Sequence, residues 1–466
     1  MTDEGAASAA RTSSGAASSP AATVQPAARP MGVFMATCLV TGNMIGSGVF
    51  FLPRALSAFG WIAIIAWVVT GAGSLLLALT FARLGSAYPS TGGPYIYVRK
   101  AFGDSAGFIV AWGYWLTVVV SNAAVSVAAV DFLSYFIEEL EENTTARIAM
   151  NLVIIWSLTA LAARGVRSSG MMAVATTVLK LIPLLLVTVA GLIVADLSDI
   201  EFNPTGDPAF TALGAAAALT LFAFIGLESA TIPAGDLQPP KGRTLAISTV
   251  TGTSIAVVVY IFGTLAVFGQ LTPAELSVAR NPFGSAAESI FGSTGGNIIA
   301  AGAVISALGT LNGFILLQGH MPLAAARDRL FPKRFLYENG RGVPMFGLLV
   351  SSAIGSVCVF VAELSEDGFD TLVLVTTVTA LLPYLLSAAA QLMLMVTDRD
   401  AFNPVALVRD GVISGLAFAY SAWTIWGSGA DSVRYSAMLL ILGIPVLIIM
   451  RWQQSRDGQI ADPSAL

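Results

Sequence analysis

Twelve stretches of mainly apolar residues, each about as long as a bilayer is thick, leave this chain few ways to fold. They run at about 33–57, 61–85, 106–136, 146–164, 170–195, 209–235, 245–270, 295–319, 344–363, 370–396, 411–428 and 432–452. In hydrocarbon a backbone N–H or C=O finds no water, so each stretch must satisfy its own backbone as a helix. The expected fold class is all-α, a polytopic membrane protein of 12 transmembrane helices. With 56% hydrophobic and 11% charged residues, a soluble domain is excluded.

An even number of spans puts both chain ends on one side, and the basic residues choose which. Eighteen Lys and Arg fall on the side of the ends, among them Arg83, Arg99, Lys100, Arg167, Lys241, Arg327 and Arg334. Only Arg54, Arg147, Arg280 and Arg434 fall on the other. By the positive-inside rule both termini are cytoplasmic and the chain lies in the cytoplasmic (inner) cell membrane. The outer loops are acidic, with clusters at Glu138, Glu139, Glu141, Glu142 and at Asp196, Asp199, Glu201, Asp207. Residues 1–30, rich in Ala, Ser, Thr and Pro, read as a disordered cytoplasmic tail and not as a cleavable signal peptide. A second tail spans 456–466. Cys38 and Cys358 both sit in apolar runs and His320 stands alone, so no disulfide framework, metal site or cofactor is expected, and no nucleic-acid partner.

The first apolar run is interrupted at Thr41–Pro53, where Gly42, Gly46, Ser47 and Gly48 gather at mid-span. Unwound chain inside a membrane is tolerated where it lines a cavity, and free N–H groups at the start of a half-helix suit a carboxylate. A glycine-broken span therefore points to a transporter's binding site. Span six carries Phe222 to Ala230, with Gly226 and Glu228 in mid-membrane. When spans one to five are laid against six to ten the two interruptions correspond. Because five is odd, the second set crosses in the opposite sense, an inverted repeat over 31–200 and 201–400 with the breaks face to face. Two further spans fill 401–455.

Gly42 to Phe50, then Ser90-Thr91-Gly92-Gly93-Pro94-Tyr95 before Arg99 to Gly103, then Phe224 to Ser229 together resemble the amino acid-polyamine-organocation transporters. The likeness runs from about 31 to 455 and is nearest to the basic amino acid/polyamine antiporters, the arginine/agmatine exchangers among them. It implies a five-plus-five inverted-repeat fold with broken helices one and six, alternating access, a homodimer, and an amino acid or amine substrate held between the breaks. Carried over by residue, Ile45, Gly46, Ser47 and Gly48 would bind the carboxylate, and carbonyls at Ala223, Phe224, Ile225 and Gly226 the ammonium. Tyr114, Thr117, Val118 and Asn122 of span three and Thr376 of span ten occupy pocket positions. Tyr114 and Asn122, eight apart, are expected to face the same way. Tyr95 matches an inner-gate tyrosine and Tyr384 a gate tyrosine. Phe222 and Phe314 stand where the exchangers have tryptophans over the guanidinium; phenylalanine keeps an aromatic face with weaker attraction for a cation. Thr117 and Val118 also depart from that pocket.

Two ionisable groups lie inside the membrane and are functional by default. Lys180 of span five is expected to donate to carbonyls freed near Gly42 to Gly46, either titrating through the cycle or acting as a fixed surrogate cation. Glu228 follows the second break, where the resemblance implies a role in gating or pH response. Asp131, about 13 Å beyond Asn122 along its helix, is expected in a vestibule or interface.

These features select a secondary amino acid transporter, with exchange of a basic amino acid and its amine and proton-coupled symport of a neutral amino acid both open. A substrate sensor or channel on the same fold is a third reading. No Walker loop, Gly-x-Ser-x-Gly or His-Glu-x-x-His occurs, so an ATP-driven pump or a hydrolase is not supported and no enzyme is expected.

Overall fold

The computed structural model describes residues 30–89, 92–164, 169–232, 234 and 237–456, with side chains throughout except at 169–176. The tails, Arg167, and Ser90 and Thr91 of the Gly-Gly-Pro motif lie outside the described residues.

In chain order the helices are α1 (Val33–Met44), α2 (Gly48–Leu56), α3 (Trp61–Ala87), α4 (Pro94–Phe102), α5 (Asp104–Ser134), α6 (Glu139–Glu142), α7 (Thr144–Ala163) and α8 (Ser169–Ile193). Then come α9 (Ala209–Leu221), α10 (Lys241–Phe268), α11 (Pro273–Val278), α12 (Pro282–Arg327), α13 (Met345–Glu363), α14 (Gly368–Thr397), α15 (Leu407–Gly427), α16 (Ala430–Ile441) and α17 (Gly443–Arg456). Among the described residues, ten helical segments are long and apolar enough to cross a membrane, and shorter apolar helices stand at Thr177–Ile193 and Ala209–Phe224, the fifth and sixth expected spans. The protein is a multi-pass, all-α membrane protein.

Burial sorts the spans. α5 is the axis: its apolar stretch is almost wholly enclosed, whereas the stretch running from α16 into α17 is mostly exposed. Small residues explain the first case, because Gly113, Ser121, Ala123, Ala124, Ser126, Ala128 and Ala129 let neighbouring backbones close on α5 from every side. The apolar exposure of Met438, Ile441, Leu442, Ile448 and Ile449 at the second is what a lipid-facing or partner-facing surface carries. α12 bends at Gly292 (φ 72°), which separates a short arm at 282–291 from the long span that follows.

Candidate functional site

The first broken span is made by three residues between α1 and α2. In a continuing helix Gly46 N–H would donate to Gly42 O; instead it turns to Met44 O at 2.8 Å. Ile45, with ψ at 80°, carries the chain out of the helix, and Ser47 starts α2 by accepting from Phe50 and Phe51 N–H at 3.1 Å. Gly46 is required by proximity: a Cβ there would lie 2.9 Å from Thr310 Cγ2 of α12. The first N–H groups of α2 have no intrahelical partner, and the buried Ser47 Oγ beside them has none either. That end of α2 is a ready acceptor for a negative group.

The second break follows α9. One 3-10 turn at Phe222–Phe224 gives way to an extended Ile225 and then to Gly226 at φ 109°, a conformation that side-chain-bearing residues rarely adopt. Across it stands Asn43, whose Cβ is 3.1 Å from where a Gly226 Cβ would be. Asn43 Nδ2 donates to Ser229 Oγ at 2.8 Å, so the breaks touch.

Between them lies a cavity of about 20 Å³, and Gly46, Ser47, Gly48, Phe222, Ala223, Ile225 and Phe314 of the expected ligands line it. That volume holds roughly one water, so the site is shut around its centre in this conformation. Asn43, Met44, Ser121, Val125 and Thr310 complete the lining and were not anticipated. Spacing could have found some of them: Thr310 is one helical turn before Phe314, and Ser121 and Val125 follow Thr117 at four-residue steps.

The other expected ligands lie outside the lining. Ile45 is buried behind it and Val118 is buried within α5. Thr117 bonds back to Gly113 O, and Phe224 packs edge-on against Trp67 and Tyr260. Thr376 is buried with its hydroxyl unpartnered. Gly226 instead donates its N–H to Glu228 Oε2 at 3.2 Å. Tyr114 and Asn122 turn to different partners, Tyr114 to Glu228 at 2.7 Å and Asn122 to Gln318 at 2.8 Å. Eight residues of helix rotate about 80° past two full turns, which is enough to separate them. The carbonyl of Ala223 already accepts from Tyr260 OH at 2.8 Å.

The two intramembrane ionisable groups meet different surroundings. Lys180 Nζ donates to Gly42 O at 2.5 Å, the carbonyl that Gly46 releases, and stands 3.4 Å from Thr310 Oγ1. It thus caps the broken end of α1. Glu228, fully buried, accepts from Tyr114 of α5 at 2.7 Å and from Tyr384 of α14 at 2.5 Å. One carboxylate thereby ties the second break to two other spans.

Charge at the two ends of the bundle is arranged unequally. At the α11 end a polar vestibule of about 290 Å³ is lined by Arg54, Arg147 and Arg280 and by seven acids, Asp131, Glu141, Glu142, Glu363, Glu366, Asp367 and Asp370. Phe51 and Phe369 meet on its wall with ring centroids 3.8 Å apart and planes tilted by 47°. Asp131 belongs to this vestibule; Arg147 bonds it at 2.8 Å and bonds Glu363 at 2.7 Å, with all three side chains at most 10% exposed. At the α4 end, Tyr95 OH donates to Asp328 Oδ2 at 3.0 Å, and Arg99 pairs with Asp328 at 3.4 Å and Asp104 at 2.7 Å, with side chains 34–39% exposed. Burial and the nearby Asp328 carboxylate push the Tyr95 phenol upward. Lys100, 2.9 Å away, and then Tyr88 hold Asp398 below the usual carboxylate range. Breaking a buried network costs about 3–5 kcal/mol, whereas a partly exposed pair contributes about 0–1 kcal/mol. The α11-end network is therefore the costlier of the two to break. His320 lies exposed near the end of α12, its ring 2.9 Å from Leu316 O.

Residues 31–450 match the family model described as amino acid permease. An arginine/ornithine antiporter of Pseudomonas aeruginosa is 31% identical over 87% of this chain and 88% of its own. Arginine/agmatine antiporters of Chlamydia felis and of Chlamydia trachomatis serovar L2 are 30% and 29% identical, each over 90% of this chain and 89% of theirs.

Proposed function

The chain belongs to the amino acid permease family, and from that premise we propose that it exchanges a basic amino acid for its amine or a related amino acid across the cell membrane by alternating access. The observation that carries the reading is the cavity closed between two broken spans, lined by the start of α2, the unpartnered Ser47 hydroxyl, Phe222 and Phe314. A zwitterion leaving water needs charge-assisted hydrogen bonds in return. The α2 start would take its carboxylate and the backbone around Ala223 to Gly226 its ammonium, with Phe314 and Phe222 facing a cationic side chain. The vestibule supports a cationic substrate, since seven acids against three arginines raise the local concentration of cations. The names of the relatives point the same way.

In this reading the chain carries two inverted five-span repeats, 31–200 and 201–400, followed by a pair of spans over 401–455. Both termini are cytoplasmic, so the α4 end faces the cytoplasm and the vestibule faces out. The exposed surface of α16 and α17 suits a homodimer. Lys180 serves as a fixed or titrating cation at the first break, and Glu228, Tyr114, Tyr384 and Tyr95 serve gating.

A second reading, proton-coupled uptake of a neutral amino acid, is favoured by Lys180 and by phenylalanine in place of tryptophan at 222 and 314. Purified protein in liposomes decides between them. Labelled arginine uptake that requires internal arginine or agmatine, at acidic and neutral pH, supports exchange. Leucine uptake into empty liposomes driven by an inward proton gradient overturns it in favour of symport.

A further inference from the structure

Four elements converge at the α4 end. Gly92 N–H donates to Ile232 O at 3.2 Å, so α4 begins against the chain that follows the second break. α4 is flanked by Gly92 and Gly93 on one side and Gly103 on the other, all at positive φ, and nothing lies within 4 Å of where a Gly103 Cβ would be. This is a short lever with a glycine joint at each end. Tyr95 is buried in its first turn and its hydroxyl is held by Asp328, the residue that closes α12.

The residue after Asp328 is under strain. Arg329, at φ 62°, is the positive-φ residue other than glycine among the described residues, and that conformation is unfavourable for a side chain of its size. Its carbonyl accepts from Gln454 Nε2 of α17 at 2.8 Å. One turn earlier on α17, Arg451 donates to Ser105 at 3.1 Å and approaches Asp104, the partner of Arg99. The last helix thus clamps the turn that presents Asp328.

We propose that Asp328 is the positioning residue of the closure at this end: it holds Tyr95 across the path to the cavity, and α17, through Gln454 on the strained Arg329 turn, sets how readily that hold releases. Relaxing the turn would carry Asp328 away from Tyr95 and free α4 to swing on its glycines. The ion pairs of Arg99 with Asp328 and Asp104 beside it are partly exposed and individually weak, which leaves the Tyr95 hydrogen bond as the main hold. The proposal rests on the exchange reading for its transport measurement alone.

The test places a cysteine at Val125, on the cavity lining, in a full-length chain with Cys38 and Cys358 replaced by serine. An impermeant maleimide is applied from the α4 side of sealed, oriented vesicles. Asp328→Ala and Tyr95→Phe are each expected to raise the labelling rate roughly tenfold, and Gln454→Ala roughly threefold. Tyr95→Phe with Asp328→Ala is expected to exceed the larger single effect by little, since both act through one hydrogen bond. In exchange assays, Asp328→Ala shifts the KM measured from the α4 side and leaves the other side unchanged. Should Asp328→Ala fail to fold, Gln454→Ala carries the test, because it removes only the bond to the Arg329 carbonyl. Unchanged labelling in the variants, or full additivity of the double variant, overturns the proposal. Labelling that responds in a protein that exchanges no arginine overturns the exchange reading and leaves this closure standing.

Discussion

Asn43 Nδ2 donates to Ser229 Oγ at 2.8 Å, joining the last turn of α1 to the chain just past the second break. Both residues crowd one glycine, because a Cβ on Gly226 would meet Asn43 at 3.1 Å and Ser229 Oγ at 3.4 Å. The two half-helices are therefore registered against each other by a side chain. Asn43→Ala removes that register and leaves a buried hydroxyl without its donor, at about 1–3 kcal/mol. Arginine exchange is expected to fall roughly tenfold or more; wild-type rates in the alanine variant would show that the breaks move independently.

Gly46→Ala is expected to abolish exchange while the protein still folds, because the new methyl would press on Thr310 at 2.9 Å and displace the lining. Thr310→Ala removes the two nearest contacts, the Cγ2 methyl at 2.9 Å and the Oγ1 hydroxyl at 3.0 Å. Adding it to Gly46→Ala should restore measurable uptake. No recovery in the double variant would mean that the glycine is needed for its backbone rather than for space.

Lys180→Ala strips the donor from Gly42 O, an acceptor that the break itself exposes. Loss of most transport with intact folding is expected. Lys180→Arg should not rescue it, since a compact ammonium and a planar fork do not satisfy one carbonyl alike. Full transport in Lys180→Ala would remove this residue from the mechanism.

Phe314→Leu keeps an apolar surface on the cavity and deletes the ring face. A cation over phenylalanine gains about 0.5–1 kcal/mol, so the KM for arginine should rise about two- to fivefold. Competition by a neutral amino acid should be unaffected. An equal change for both substrates would place Phe314 in packing rather than in recognition.

Arg147→Ala leaves Asp131 and Glu363 buried without their shared cation, whereas Arg99→Ala deletes partly exposed pairs. Thermal unfolding in detergent should show a large loss for the first and almost none for the second. Equal losses would contradict the ranking of the α11-end network as the costlier to break.

Much of this was legible in the chain because membrane solvation is a local rule. Each apolar run had to become a helix by itself, and a Gly-Ser-Gly interruption in hydrocarbon had to line a cavity, whatever its neighbours. Lys180 could be assigned to the first break for the same reason: a buried ammonium must find carbonyls, and an interrupted helix supplies them.

Which face of each helix meets which neighbour is decided elsewhere. Tyr114 and Asn122 share one helix, yet one serves the Glu228 triad and the other binds Gln318, because about 80° of rotation points them at different spans. Thr310 and Ser121 line the cavity and had only helical spacing to mark them, since an ordinary hydroxyl on an apolar helix becomes a site residue only when another backbone approaches it. The Tyr95–Asp328 bond joins residues 233 positions apart. Sequence by itself determined that this chain crosses the membrane as helices and where two of them break, because those outcomes follow from each segment's own backbone. Tertiary structure alone decided which side chains close the cavity and which charges pair at either end, because packing angle and burial belong to no single segment.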